Sequence, residues 1–149
     1  MNPIEERIEK FIGSHRLLTL ATTDEHLPFC CNIFYVFHPA NGSFYFMSAA
    51  ETKHIQDALK QPVVAGTIVS GDVSLAKIQG IQFTGRFFQP KEVEFEEAKR
   101  LYMKKFPVAH FITSSLWAIE PDFIKMTDNT LGFGKKILWS RTCGAVSQV

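Results

Sequence analysis

The sequence predicts a mainly β chain with helices, folded as one mostly antiparallel barrel. Three observations carry this reading. Short apolar runs with strand character recur at Leu17 to Thr23, Phe29 to Phe37 and Val63 to Val69. Asn41-Gly42 is a strong hairpin signal between two strand-like stretches. Fourteen of the 149 residues are phenylalanine, a load of large aromatics that suits barrel interiors and oligomer interfaces. A chain of this length buries roughly 70% of the surface its unfolded form exposes, enough for a single domain spanning residues 1–149.

Taken in order, Asn2-Pro3-Ile4-Glu5 combines a capping residue, a proline at the first helical position and a carboxylate three residues after the cap. Ile4, Ile8, Phe11 and Ile12 then share one face until Gly13. The spacing predicts a short amphipathic helix. Leu17 to Thr23 and Phe29 to Phe37 read as strands around the polar turn Asp24-Glu25-His26, and Asn41-Gly42 leads into a third strand, Ser43 to Ser48. After Ala49-Ala50 the period changes: Thr52 caps a helix carrying Ile55, Ala58 and Leu59, which Gln61-Pro62 ends.

Val63 to Val69 is a continuous β-branched strand, Ser70-Gly71-Asp72 turns the chain, and a long strand runs from about Lys77 to Gln89 through Gly80 and Gly85. Between Glu92 and Phe106, Ala98, Leu101, Tyr102 and Phe106 keep helical spacing opposite a charged face. Leu116 to Ile119, Phe123 to Thr127 and Ile137 to Trp139 read as further strands, broken by Pro121 and by Gly132-Phe133-Gly134; residues from about Thr142 form a tail. The order αβββαββα plus two or three strands fits a closed or partly closed, Greek-key-like barrel with helical plugs, because so hydrophobic a meander would otherwise leave exposed edges.

Composition narrows the function classes. Sixteen basic against fifteen acidic residues leave a charge of +1, far from the basic footprint that nucleic-acid binding needs. The segment Met1 to Gly13 carries Glu5, Glu6 and Glu9 and lacks the apolar stretch of a signal peptide. The longest apolar run, Phe29 to Phe37, is far short of the roughly 20 residues of a membrane helix. Cys30, Cys31 and Cys143 are an odd number, two of them adjacent and so facing opposite ways in a strand. Reduced thiols in a cytoplasmic protein are the expectation, with a homodimer as the expected assembly.

The segment Phe44 to Ser48, Thr52-Lys53-His54, and then Ala58 through Gln61-Pro62-Val63-Val64 resembles the strand, basic turn, helix and proline-valine ending of the pyridoxamine 5′-phosphate oxidase-like split barrels. Asn32-Ile33-Phe34-Tyr35, Gly80 to Gly85 and Thr127-Asp128-Asn129-Thr130-Leu131-Gly132-Phe133-Gly134-Lys135-Lys136 are similar to a bacterial subfamily, the YhbP-like proteins, and this likeness spans nearly the whole chain. The resemblance implies FMN, held in a groove between two subunits. Ser48, Thr52, Lys53 and His54 then hold the phosphate, a helix start, a hydroxyl and a full charge being suited to it. Gln82 and Thr84 meet the polar edge of the flavin ring, and Asn32 or Tyr35 lines it. Asn32 and Tyr35, three apart, leave a regular strand on opposite faces. Phe133, Gly134 and Lys135 complete the partner's site, Lys135 favouring reduced, anionic flavin. The strand Phe29 to Phe37 has no basic residue, unlike that of close oxidase relatives.

Other constellations give less. Gly132-x-Gly134 lacks the third glycine of a dinucleotide fingerprint, and Lys135-Lys136 lacks the spacing of a P-loop. The histidines at 15, 26, 38, 54 and 110 show no metal-ligand spacing. Glu92, Glu94, Glu96 and Glu97 read as the acidic side of a helix, and Cys31 has no local partner as a nucleophile. The expected function is an FMN-binding oxidoreductase that passes hydride between a small substrate or a nicotinamide and the flavin. The alternative from another class is a non-enzymatic barrel that stores or senses flavin or haem, with His110 or His54 as axial ligand. A third is a barrel whose site has degenerated and whose role is protein contact.

Overall fold

A computed structural model of the chain describes residues 1–71 and 74–142. Helix α1 (Glu6–Ser14) precedes strands β1 (Leu17–Asp24), β2 (Leu27–Phe34), β3 (Val36–His38) and β4 (Ser43–Ser48). Then come α2 (Lys53–Lys60), β5 (Val63–Val69), β6 (Gln79–Phe88), α3 (Glu92–Lys105), β7 (Ser115–Asp128) and β8 (Lys136–Ser140). The sheet order is β2-β1-β5-β6-β7-β4-β3, with β8 pairing β7, and every pairing is antiparallel. This is the curled sheet of a split barrel.

Closure depends on one residue. The single strand expected from Phe29 to Phe37 is two, because Tyr35 interrupts it, and β2 and β3 occupy opposite ends of the strand order. A continuous stretch of chain therefore joins the two edges of the sheet, which leaves fewer open ladders. Tyr35 is held at the junction by its N–H, donating to the Arg16 carbonyl at 3.0 Å, and by its hydroxyl, donating to the Ile12 carbonyl at 2.7 Å. The three strands expected in a row are therefore two hairpins, β1-β2 and β3-β4, at opposite ends of the sheet.

Inside the curl, aromatics pack ring on ring. Phe44 stacks on Phe83 with centroids 4.9 Å apart, Tyr35 meets Phe44 edge-on at 5.3 Å, and Phe87 stacks on Trp117 at 5.2 Å. A Cβ on Gly66 would lie 2.3 Å from the Phe83 ring, so only glycine lets that ring lie on β5. Helix α1 seals one side with Ile8, Phe11 and Ile12. It begins later than its sequence signals suggest: Glu5 caps it, accepting from the N–H groups of Arg7 and Ile8. Asn2, the expected cap, is drawn to the other terminus, its N–H to Arg141 O and its Nδ2 to Ser140 O.

Pro121 does not break β7. It sits at a bulge where the β6 partner register steps from Thr84–Phe123 to Gly85–Pro121, and a Cβ on Gly85 would lie 2.4 Å from the Glu120 carbonyl. In α2 the expected apolar residue Leu59 is 54% exposed, and Asp57 takes the buried side with Ile55 and Ala58. Asp72 of the expected Ser70-Gly71-Asp72 turn, Cys143 and the tail beyond Thr142 lie outside the described residues.

Candidate functional site

The residues expected at the site divide into separate groups. The first gathers where β4 hands over to α2. Ser48 ends the strand, Thr52 occupies the cap position and His54 lies in the first turn. His54 Nε2 is 2.8 Å from Ser48 Oγ and 3.3 Å from Thr52 Oγ1, and the two hydroxyls are 3.4 Å apart. The Trp117 indole steadies this corner by donating to the Ser48 carbonyl at 2.9 Å. Thr52 does not cap α2, as its sequence position suggests; its hydroxyl donates back to the Ala49 carbonyl at 2.8 Å. The N-terminal amides of α2 thus have no side-chain cap, the condition for an anion to dock there. Burial lowers the His54 pKa below its ordinary value against the opposing pull of Asp57, which favours the neutral ring.

Lys53 is placed differently. Its ammonium is 3.0 and 2.9 Å from the two carboxylate oxygens of Asp57 and 5.3 Å from the Phe29 ring centroid. Asp57 is 3% exposed and also accepts from the Thr22 hydroxyl at 3.3 Å. The positive charge is already balanced within its own helix. Sequence reasoning passed over Asp57, although its i,i+4 spacing from Lys53 is the signal that finds it.

The second group lies on the outer face of the sheet. Register places Asn32, Thr19, Thr67, Gln82 and Lys125 in one row across five strands. The next row is Cys30, Ala21, Ala65, Thr84 and Phe123. Two alanines in the middle of that row leave a hollow of about 700 Å³, with Cys30, Gln82, Thr84 and Phe123 around it. Gln82 and Thr84 are exposed there, and Asn32 is tied to the row by accepting from Thr19 Oγ1 at 2.8 Å. Cys30 opens on this hollow and Cys31 packs against the core, where burial, with Cys30 beside it, raises its pKa.

The third group is the loop after β7. Asp128, fully buried, accepts from the N–H and hydroxyl of Thr130, from Gln79 Nε2 at 3.0 Å and from the Arg7 guanidinium at 2.8 Å. Burial alone would raise its pKa; these donors outweigh burial and hold the carboxyl below its usual range. Asn129 accepts from Gly134 N at 2.9 Å and donates to Leu75 O at 2.7 Å. The loop so fixed holds Phe133 80% exposed and Lys135 exposed beside it. Gly132 and Gly134 supply the positive φ values of 129° and 73° that the turn needs.

Tyr35 joins none of these groups. It is fully buried and its hydroxyl is spent on Ile12. Nor do the others meet in one chain: Asn32, Gln82 and Thr84 face outward, while Lys53 reaches Phe29, which shares the inward phase of β2 with Ile33. Among the described residues, no three His, Cys, Asp or Glu side chains are grouped to hold a metal ion, and no helix is long and apolar enough to cross a membrane.

Comparison with known proteins gives three results. No protein-family model matches the chain. A UPF0306 protein of Klebsiella pneumoniae is 38% identical over 138 residues, covering 93% of this chain and 94% of its own. The UPF0306 protein YhbP of Escherichia coli O157:H7 is 36% identical over 137 residues, covering 92% and 93%. Among solved structures, a heme-binding protein from Mycobacterium smegmatis superposes with a TM-score of 0.77 at 17% identity over 92% of this chain, which spans 59% of that longer one. A putative pyridoxamine 5′-phosphate oxidase from Listeria innocua gives 0.65 at 12% identity, covering 81% and 95%. At these identities the structures show a shared split-barrel fold.

Proposed function

The chain belongs to the UPF0306 family, and from that premise we propose that it is an FMN-binding oxidoreductase whose sites form between two copies. The observation that carries this reading is the outer hollow of about 700 Å³, floored by Ala21 and Ala65 and edged by Gln82 and Thr84. Its size suits a flat heterocycle, and its few polar groups suit the ring's amide edge. Ser48, Thr52 and His54 at the uncapped start of α2 suit a phosphate. These two half-sites lie on opposite sides of the sheet in one chain. A second copy supplies the missing half, with Phe133 and Lys135, exposed on their fixed loop, as its further contribution.

The residues present fit FMN with one qualification of role. Lys53, paired with Asp57, contributes as a shared charge, so the phosphate rests chiefly on hydroxyls, backbone amides and His54. When bound, the flavin supplies the hydride acceptor, which the side chains here do not offer. The chain's own part is to grip the phosphate, present Gln82 and Thr84 to the ring edge, and exclude water through the aromatic and alanine lining. Haem fits less well, because His54 Nε2 is engaged by Ser48 and Thr52, and His110 lies on a different groove.

Titration of the purified protein with FMN, FAD and haem, followed by flavin quenching and visible spectra, tests the reading. Saturable FMN binding with sedimentation as a dimer is expected. Absence of saturable FMN binding overturns it. Rapid-mixing reduction of the bound flavin by NADH or NADPH then separates an oxidoreductase from a carrier.

A further inference from the structure

A second hollow lies on the other side of β4. Met47 and Ser48 leave that strand on opposite faces, and Met47 pairs across to Leu116 of β7 beneath α3. Phe95 and Met103 of α3 wall the space, and the 3-10 turn Pro107–Phe111 with the following residues closes its end, enclosing about 500 Å³. A shallower hollow of about 400 Å³ shares Lys99, Met103 and His110 with it and extends the groove along α3.

Chemistry distinguishes the two ends of this groove. Two methionines, a phenylalanine and Leu116 give the floor an apolar, polarisable patch that adapts to an irregular guest, and Gln89, Thr113, Ser114 and Ser115 share its lining. The rim carries Lys99, Arg100, Lys104 and His110 against one carboxylate, Glu96. Among the described residues no carboxylate pairs with Lys99, Lys104 or His110, while Arg100 stands 3.9 Å from Glu97. Lys99 instead rests its ammonium 5.9 Å over the Phe95 ring, at the boundary of floor and rim. The ammonium groups of Lys99 and Lys104, without a carboxylate partner among the described residues and beside an apolar floor, present one complementary shape.

We propose that this groove is a second ligand site, taking a small anion with an apolar body: an aryl or short acyl carboxylate, sulfonate or phosphate. The apolar body lies on Met47, Phe95, Met103 and Leu116, and the anionic head meets Lys99 and its neighbours at the rim. This site is independent of the flavin reading, since Met47 faces away from Ser48 and the outer hollow shares no lining residue with it, the two meeting β7 at separate points, Phe123 and Leu116.

The probe that tests it is 1-anilinonaphthalene-8-sulfonate, with its uncharged analogue N-phenyl-1-naphthylamine as control, added to the full chain. Saturable fluorescence is expected with the sulfonate and weaker binding with the neutral compound. In methyl-labelled protein the Met47 and Met103 signals should shift while that of core Met126 stays put. Lys99→Glu, at an exposed position, should weaken the sulfonate about tenfold or more with its thermal midpoint unchanged. Ser114→Trp, which puts an indole into the lining of the cavity, should also weaken it. Equal affinity in Lys99→Glu, shifts at Met126 instead, displacement of the probe by FMN, or no saturable binding would each overturn the proposal. If FMN binding fails while these results hold, only the flavin reading falls.

Discussion

Lys53 and Asp57 form a two-oxygen ion pair one helical turn apart, at 3.0 and 2.9 Å, with Asp57 nearly buried and Lys53 half exposed. The pair sets two effects against each other. Asp57→Asn keeps the volume and the Thr22 contact but frees the Lys53 charge for a phosphate, so FMN should bind several-fold more tightly. The same change removes a charge-assisted contact at a buried position, so stability should fall by about 1–2 kcal/mol. Lys53→Ala should weaken both binding and stability. Quenching titrations beside thermal melts resolve the signs; a weaker-binding Asp57→Asn would mean that Lys53 serves the helix alone.

His54 makes pH act in opposite directions on stability and binding. Its folded pKa lies below the unfolded value, because burial disfavours the imidazolium more than Asp57 favours it. The unfolded chain therefore binds the proton more readily, and this contribution to stability is present above the unfolded pKa and lost as pH falls through the folded one. A phosphate beside the ring favours the charged form, so FMN affinity should rise as pH falls through the same window. His54→Gln should flatten both slopes, read from melts and titrations across pH 5 to 8, the window centred on the ordinary histidine pKa of about 6.5.

Much of the fold is legible where local chemistry decides it. Asn41-Gly42 signals the β3-β4 hairpin, and Gly42 indeed has φ 66° while Asn41 Oδ1 accepts from Ser43 N. What the sequence hides is decided between distant segments. The break at Tyr35 is invisible in an unbroken apolar run, because Ile12 and Arg16, from the preceding helix and its exit, create it. Pro121 reads locally as a strand breaker, yet a glycine on the neighbouring strand gives the bulge room to carry it. At the site, the Ser48, Thr52 and His54 cluster follows from one contiguous motif. The separation of Asn32 and Gln82 from that cluster follows from strand order, which no local pattern encodes.

Asp128 is the organiser of the loop that carries Phe133. It meets Arg7 of α1, Gln79 of β6 and Thr130, three elements brought to one buried carboxylate. Asp128→Ala leaves the Gln79 amide and the Thr130 donors without their partner and should cost about 2–4 kcal/mol. The folded pKa is depressed, so this stabilisation is full above the unfolded pKa and fades as pH falls through the folded one. Asp128→Asn, which keeps one acceptor, should lose less and should flatten the acid limb of the stability profile. Amide exchange at residues 129–135 should accelerate in both variants.

Phe133 separates folding from assembly. The loop spends the Asn129 side chain on both Gly134 and Leu75, yet the phenyl ring it presents is 80% exposed. Fixing an apolar ring in water gains nothing within one chain, whereas at a subunit boundary the same ring gains its burial without further ordering cost. Phe133→Ala should therefore leave the melting of the isolated chain within about 0.5 kcal/mol of the parent. Self-association, followed by sedimentation over a concentration series, should weaken, and FMN affinity should fall with it. Unchanged association together with unchanged FMN affinity would detach this loop from the partner's site and leave the flavin to the two sheet-borne groups alone.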